Sequence, residues 1–287
     1  MTYQSAPALR IALERRLLAR SAETGVSLDR LRRRVMFERV IARVQAAEPG
    51  QWVLKGGMAL EVRLRDDARL TKDVDLGLRD DVNSAPDLHE RLIDILAVDL
   101  DHDHDHFIFT ASQPERLRDD SGRVPTWRAK VSAQLADKPF GGIQLDVSPR
   151  IHELHATDRL AIPNSLAFAG IPAVEVEAVD IHRHAAEKFH GMLRDFGERE
   201  NSRVRDIVDL AILLEHDLLE PEQTATAIRS VWLERDNTEP PDNLPRLPES
   251  WPDRYQRLAA GQGIEIPPYV AAVATVTQLW LTMFPRE

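Results

Sequence analysis

Apolar residues recur at helical spacing over residues 7–23 and 27–47, each segment with an arginine-rich opposite side, and Ser27 stands where the second helix needs an N-cap. From Gln51 the period changes. Gln51–Lys55 reads as a short strand, Gly56-Gly57 as a turn, Met58–Arg65 as a short helix and Asp73–Leu78 as a second strand. A helix is expected over Pro86–Val98 and a strand over Phe107–Ser112. Thr126–Leu135 and Gly142–Ser148 alternate as the arms of a hairpin closed by Asp137-Lys138-Pro139-Phe140-Gly141. Beyond Val179 the helical period returns over 180–195, 203–217, 222–235 and a final apolar segment near 268–284, interrupted by Pro240–Pro252, which reads as an extended linker. No internal repeat is visible. The pattern predicts an α/β fold: N-terminal helices over 1–47, a mixed-sheet core over 48–175, and a helical C-terminal region over 176–287.

Composition narrows the picture. The chain has 287 residues, 43% hydrophobic and 29% charged, enough to bury one large core or two smaller ones. No run approaches the roughly 20 apolar residues of a membrane helix, and Arg10 and Glu14 occupy the place of a signal peptide's apolar centre. A cytoplasmic protein with no membrane contact is expected. With no cysteine, disulfides, thiolate metal sites and cysteine nucleophiles are excluded. The net charge of -10 argues against broad binding to nucleic acid, so any RNA contact would need a local basic patch. Arg16, Arg20 and Arg32-Arg33-Arg34 are candidates, although solvated helix faces account for them as well. Of the 37 basic residues only Lys55, Lys72, Lys130, Lys138 and Lys188 are lysine, so each lysine carries information.

The densest chemistry lies in Lys55-Gly56-Gly57-Met58-Ala59-Leu60 and Thr71-Lys72-Asp73-Val74-Asp75-Leu76. A strand that runs through Gly-Gly into a helix brings bare backbone N–H groups to a helix N-terminus, a cradle for phosphate oxygens. Residues two apart on a strand share a face, so Asp73 and Asp75 project together while Val74 and Leu76 anchor the core. Such a pair suits divalent ions for in-line nucleotidyl transfer, and hard oxygen ligands select magnesium or manganese over zinc. In Gly142–Ser148, Asp146 opposes the apolar 143, 145 and 147. If this strand neighbours Asp73–Leu78, Asp146 would join the metal ligands; otherwise it is a solvent-facing acid on an edge strand. Thr71 shares the Asp73 face. A phosphate on it would repel an incoming triphosphate, whereas the free hydroxyl would simply cap a local turn.

These motifs resemble those of the AbiEii/AbiGii-type nucleotidyltransferase toxins, including the mycobacterial MenT group, in the polymerase-β-like superfamily. The resemblance spans roughly residues 30 to 217 and continues through Glu187-Lys188 and Arg203-x-Arg205-Asp206-x-x-Asp209-Leu210. Arg205 stands where the family commonly has lysine, and a planar guanidinium is not a lysine point charge. Met58 stands where many superfamily members have serine. The resemblance implies a nucleotidyltransferase core with a helical half closing over the nucleotide. It further implies a toxin paired with a cognate antitoxin, using NTP and Mg2+ (or Mn2+) to extend an RNA 3′ end, foremost the tRNA acceptor end, and so to block translation. Asp73 and Asp75 would hold metal. Lys55, Gly56 and Gly57 would bind nucleotide with Lys188, Arg205 and Asp206, and Lys188 and Asp209 would complete the catalytic set. Nucleotidylation of a protein or small molecule, and a catalytically idle nucleotide-binding module, are the alternatives.

The helical motif also has its own physics. Ile181, Ala185, Phe189 and Met192 form an apolar stripe that contains Lys188, and a lysine there is costly unless it meets an anion or reaches water. Asp206 and Asp209, one turn apart, either line a cleft or pair with Arg203, Arg205 or Lys188 to hold two helices together. Asp101-His102-Asp103-His104-Asp105-His106 would align its histidines only if extended, and a polar loop before the Phe107 strand accounts for it. His182 and His184, two apart, are expected on a helix surface.

Overall fold

The computed structural model describes residues 3–69, 71, 73–100, 105–117, 126–149, 154, 156–197, 200–260 and 266–285. Lys72 and residues 101–104, among the positions singled out above, lie outside them. The chain divides into two compact units, Met1–Arg63 with Thr71–Ala178, and Leu64–Leu70 with Val179–Glu287.

The first unit contains α1 (Ala6–Thr24), α2 (Leu28–Ala47), β1 (Trp52–Lys55), α3 (Gly56–Leu64), β2 (Asp73–Leu78), α4 (Ala85–Ala97), β3 (Phe107–Ala111), β4 (Glu115–Leu117), β5 (Thr126–Leu135), β6 (Lys138–Ser148), β7 (Thr157–Ala161) and β8 (Glu175–Val179). Ser27 caps α2, its hydroxyl accepting from the Arg30 backbone N–H. The strands form one mixed sheet in the order β3-β5-β6-β2-β1-β8-β7, with β4 pairing β5. β2 runs antiparallel to β1 but parallel to β6. Alternation settles the faces. Leu54, Leu76 and Val147 lie level with one another and are buried, as are Val74, Leu145 and Ala129 one level along. With α1, α2 and α4 they make the hydrophobic core, and Lys55, Asp73, Asp75, Arg128, Gln144 and Asp146 are among the residues at the intervening positions.

The hairpin differs from expectation. Leu135 pairs directly with Lys138, so the loop is Ala136-Asp137, both with φ near +50°, and residues 138–142 are strand. Such a turn ordinarily uses Gly or Asn. Here Arg10 of α1 donates to the carbonyls of Leu135, Lys138 and Pro139 and secures it from outside. At Gly141 a Cβ would come to 2.9 Å from the Met36 sulfur on α2, so that side chain would have to shift to admit one. Asp105 is likewise not part of a solvated loop: it is buried and clasped by Arg39 and Arg43 of α2. The other candidate arginines of the first helices face acids or an aromatic ring. Arg32 meets Glu14, Arg33 meets Asp29, Arg34 meets Glu61, and Arg16 lies 4.0 Å over the Phe168 ring.

The second unit is helical: α5 (Ile181–Leu193), α6 (Val204–Glu215), α7 (Pro221–Asp236), α8 (Trp251–Ala260) and α9 (Tyr269–Met283), and it includes the 64–70 segment, with a 3-10 turn at Arg65–Asp67. α8 starts inside the stretch expected to be a linker. Trp251 is fully buried there and donates its indole N–H to the Asn201 carbonyl. His182 and His184 are buried rather than on a helix surface, and His182 bonds Thr224 of α7 at 3.0 Å. Among the described residues no helix is long and apolar enough to cross a membrane.

Candidate functional site

The polar face of the sheet gathers the carboxylates. Asp75 on β2 is level with Lys55 on β1 to one side and Asp146 on β6 to the other, and Asp146 is level with Arg128 on β5. A single row thus crosses four strands: Lys55, Asp75, Asp146, Arg128. Asp73 lies one level away on the same face. β6 does neighbour β2, which was the condition for Asp146 to join the pair. Thr71 donates its hydroxyl to the Asp73 carbonyl at 3.3 Å, a local turn at the entry to β2.

Arg128 had no place in the motifs. Its fork donates to both oxygens of Asp146, each at 2.7 Å, and its Nη2 lies 3.9 Å from Asp73 Oδ2. The hydrogen bonds to Asp146, with the fields of Asp146, Asp73 and Asp75, raise its pKa above the usual arginine value against the opposing effect of burial. The one sequence signal was β5's alternation, which sets Arg128 on the polar face. The wrong hairpin turn hid its partner, because the longer loop shifts the register away from Asp146.

Gly56 opens α3 with φ +58°, and a Cβ on it would overlap the Asp75 carboxylate. Glycine is therefore required twice at this point, for its left-handed backbone and for Asp75's close approach. Gly57 is buried in the first turn of α3 and Met58 is buried behind it.

The second unit holds the other predicted residues. Lys188 on α5 is buried, with its Nζ 2.5 Å from Asp209 Oδ2 and 3.5 Å from Asp206 Oδ1. Arg69, from the 64–70 segment, donates its Nε and Nη2 to Asp209 at 2.5 and 3.0 Å. Burial alone would raise the pKa of Asp209, but Lys188 and Arg69 outweigh it and hold the carboxyl at about 2. Asp206, with its longer contact to Lys188, is pushed up by burial, which outweighs the fields of Lys188, Arg203 and Arg69. Asp206 also lies so close to Gly191 that a Cβ there would come within 2.9 Å of its oxygen. Asn201 fixes the end of α5, donating to the carbonyls of Gly191, Met192 and Arg194. Arg205 is exposed on α6. Arg69 escaped notice because its partner is 140 residues away.

Among the described residues no three acids or histidines form a ready-made metal cage. The donor chemistry fits a divalent ion at a pair: Asp73 and Asp75 offer hard oxygens on one face, with 37% of the Asp73 side chain accessible, whereas both oxygens of Asp146 are engaged by Arg128.

No curated protein matches the chain. Among solved structures it is similar to MenT4, a nucleotidyltransferase toxin from Mycobacterium tuberculosis H37Rv, at 16% identity and a TM-score of 0.60, covering 97% of this chain and 90% of that one. JHP933 from Helicobacter pylori matches at 16% identity and a TM-score of 0.43, over 86% of this chain and 88% of that one. The MenT4 likeness identifies the fold. The family model for the nucleotidyl transferase AbiEii toxin of type IV toxin–antitoxin systems matches residues 39–278, most of the chain and every residue of both clusters. The chain belongs to the AbiEii nucleotidyltransferase toxin family.

Proposed function

We propose that this toxin is a cytoplasmic, Mg2+- or Mn2+-dependent enzyme that adds nucleotides from NTP to an RNA 3′ end, with the tRNA acceptor end as substrate, and so blocks translation until its antitoxin intervenes. The observation that carries this reading is the row of Asp75 and Asp146 beside Asp73, set against the glycine entry to α3. Asp73 and Asp75 would hold the ion, which would supply charge neutralisation for the triphosphate and the attacking hydroxyl. The N–H groups at Gly56 and Gly57 would receive phosphate oxygens, with Lys55 beside them. Asp146 would orient the acceptor hydroxyl. In the second unit Lys188 would contact triphosphate, positioned by Asp209 and Asp206, and Arg205 would add an exposed phosphate contact.

A second reading, a protein or small-molecule acceptor, is favoured by one observation. Arg32, Arg33 and Arg34, the densest basic run, each already face an acid of this chain, and the net charge is -10. Incubating the pure protein with total RNA, a cell extract and each labelled NTP plus magnesium separates the readings. Label in an RNA band, lost in Asp75→Ala, supports RNA; label only in protein or small molecules overturns it.

A further inference from the structure

Three carboxylates on neighbouring positions of one sheet face repel each other, and this chain answers with a cation of its own. Arg128 does not look like a strand clamp. β5 and β6 are already joined by a ladder from Trp127↔Val147 to Leu135↔Lys138, so an ion pair adds little to their pairing. Its position is better explained by charge. The guanidinium takes both oxygens of Asp146, reaches to 3.9 Å of Asp73, and lies in the field of Asp75 as well. The two partners are unequally fixed: 10% of the Asp146 side chain is accessible against 36% of Arg128. The arginine is therefore the more exposed to solvent screening of the two.

We propose that Arg128 is a resident counter-cation of the carboxylate face, beside Lys55 in the same row, and a positioning residue that selects the nucleotide-bound over the free form of the metal. This rests on the reading of Asp73 and Asp75 as metal ligands. By filling its fork with both oxygens of Asp146, Arg128 sets that carboxylate apart from Asp73 and Asp75. Its charge beside Asp73 opposes a bare divalent cation, since like charges close together disfavour each other. A metal–triphosphate complex carries net negative charge and meets the same guanidinium as an attraction. One residue thus acts with opposite sign on the two forms of the ion, so metal would not collect on the face in the absence of nucleotide.

The experiment measures binding, on the full chain, of Mn2+ alone and of Mn2+ with each of the four α,β-methylene NTP analogues, by calorimetry and by the EPR signal of free Mn2+. Arg128→Gln should bind bare Mn2+ about tenfold more tightly and the preferred Mn2+–analogue complex about tenfold more weakly, a size set by one close charge in a partly solvated site. A purely structural arginine would shift both in the same direction. Shifts of the same sign, or neither shift beyond twofold, overturn the proposal. If Arg128→Gln does not fold, the neutral pair Arg128→Gln/Asp146→Asn is compared with Asp146→Asn alone, and the same opposite shifts are expected on removing the arginine. Asp75→Asn separates this proposal from the reading beneath it. If Asp75→Asn binds Mn2+ like wild type, the metal assignment fails and takes the proposal with it; if it loses Mn2+ while Arg128→Gln changes nothing, only the role of Arg128 fails.

Discussion

The two charged clusters, one in each unit, are built on opposite terms. On the sheet, Asp73, Asp75 and Asp146 share a face with Lys55 and Arg128, and the side chains of Asp73 and Arg128 are more than a third accessible. In the helical unit, Asp209 is completely buried between Lys188 and Arg69, and Asp206 is buried next to it. The sheet cluster has more acids than cations and an open side, so its ion pairs can be exchanged for those of a ligand. The helical cluster sets Lys188 and Arg69 against two buried acids, so each member depends on the others. The motif residues of one family pattern thus divide into a partly accessible set and a buried, mutually paired set, and substitutions should affect them differently.

The largest effect is expected on the sheet and in activity alone. Asp73→Ala or Asp75→Ala should lower nucleotide transfer by about a thousandfold or more, the scale of losing a transition-state electrostatic contact. Neither carboxylate is deeply buried, so the melting curve should stay close to wild type. Near-normal transfer with magnesium in either variant would exclude the metal assignment.

Next comes stability in the helical unit. Asp209→Ala leaves Lys188 and Arg69 as buried cations around an empty centre, and unfolding free energy should fall by about 3–5 kcal/mol. Acid should mimic the mutation. Because the folded carboxyl sits at about 2 against an ordinary 3.8, its stabilisation is present above pH 3.8 and lost as pH falls through 2. Denaturant titrations at pH 5 and pH 2.5 should show wild type losing stability over that range through this group and Asp209→Ala losing less. Equal losses would mean that the network does not hold the unit.

Gly56→Ala sharpens the contrast from the sheet side. The new methyl must overlap the Asp75 carboxylate and adopt φ +58°. A cost of about 1–2 kcal/mol in stability is expected from the left-handed backbone. Transfer should fall about tenfold to a hundredfold, the scale of a 1 Å misplacement of a catalytic group. A variant with reduced stability but unaltered transfer would show that the carboxylate's position against the glycine is unimportant.

How far these features can be read from sequence follows from the range of the forces involved. Val74 and Leu76, and 143, 145 and 147, declare their strand faces because alternation is local, and Ser27 declares its cap for the same reason. The motif glycines and aspartates were legible as a pattern. The hairpin turn was not, because Ala136-Asp137 is held by Arg10 across 125 residues or more and not by its own chemistry. α8 was hidden by prolines around a tryptophan whose partner, Asn201, lies 50 residues upstream. Arg128 and Arg69 each needed a register or a long-range contact before they could be seen as part of a cluster at all.

The smallest expected effect tests the same rule, that burial and pairing decide how a charge behaves, at a third acid. Glu38 on α2 is buried in the first unit and receives the Ser165 N–H at 2.8 Å and the Ser165 hydroxyl at 2.7 Å. Unlike at Asp209, burial outweighs the Ser165 bonds and the fields of Arg39 and Arg34, so its carboxyl is raised from 4.5 to about 7. The sign is the reverse of Asp209. The folded state keeps a proton that the unfolded state has released, so the stabilisation is fully present below pH 4.5 and lost as pH rises through 7. The slope is at most about 1.4 kcal/mol per pH unit. Glu38→Gln imitates the protonated acid, since its amide can still accept from the Ser165 N–H and can donate to the Ser165 oxygen. Urea titrations of both proteins at pH 5, 6, 7 and 8 should therefore converge at pH 5 and diverge upward, with the glutamine variant the more stable at pH 8. Parallel lines would show that Glu38 is ionised throughout and that Ser165, with the fields of Arg39 and Arg34, is enough to hold a buried carboxylate charged in this fold.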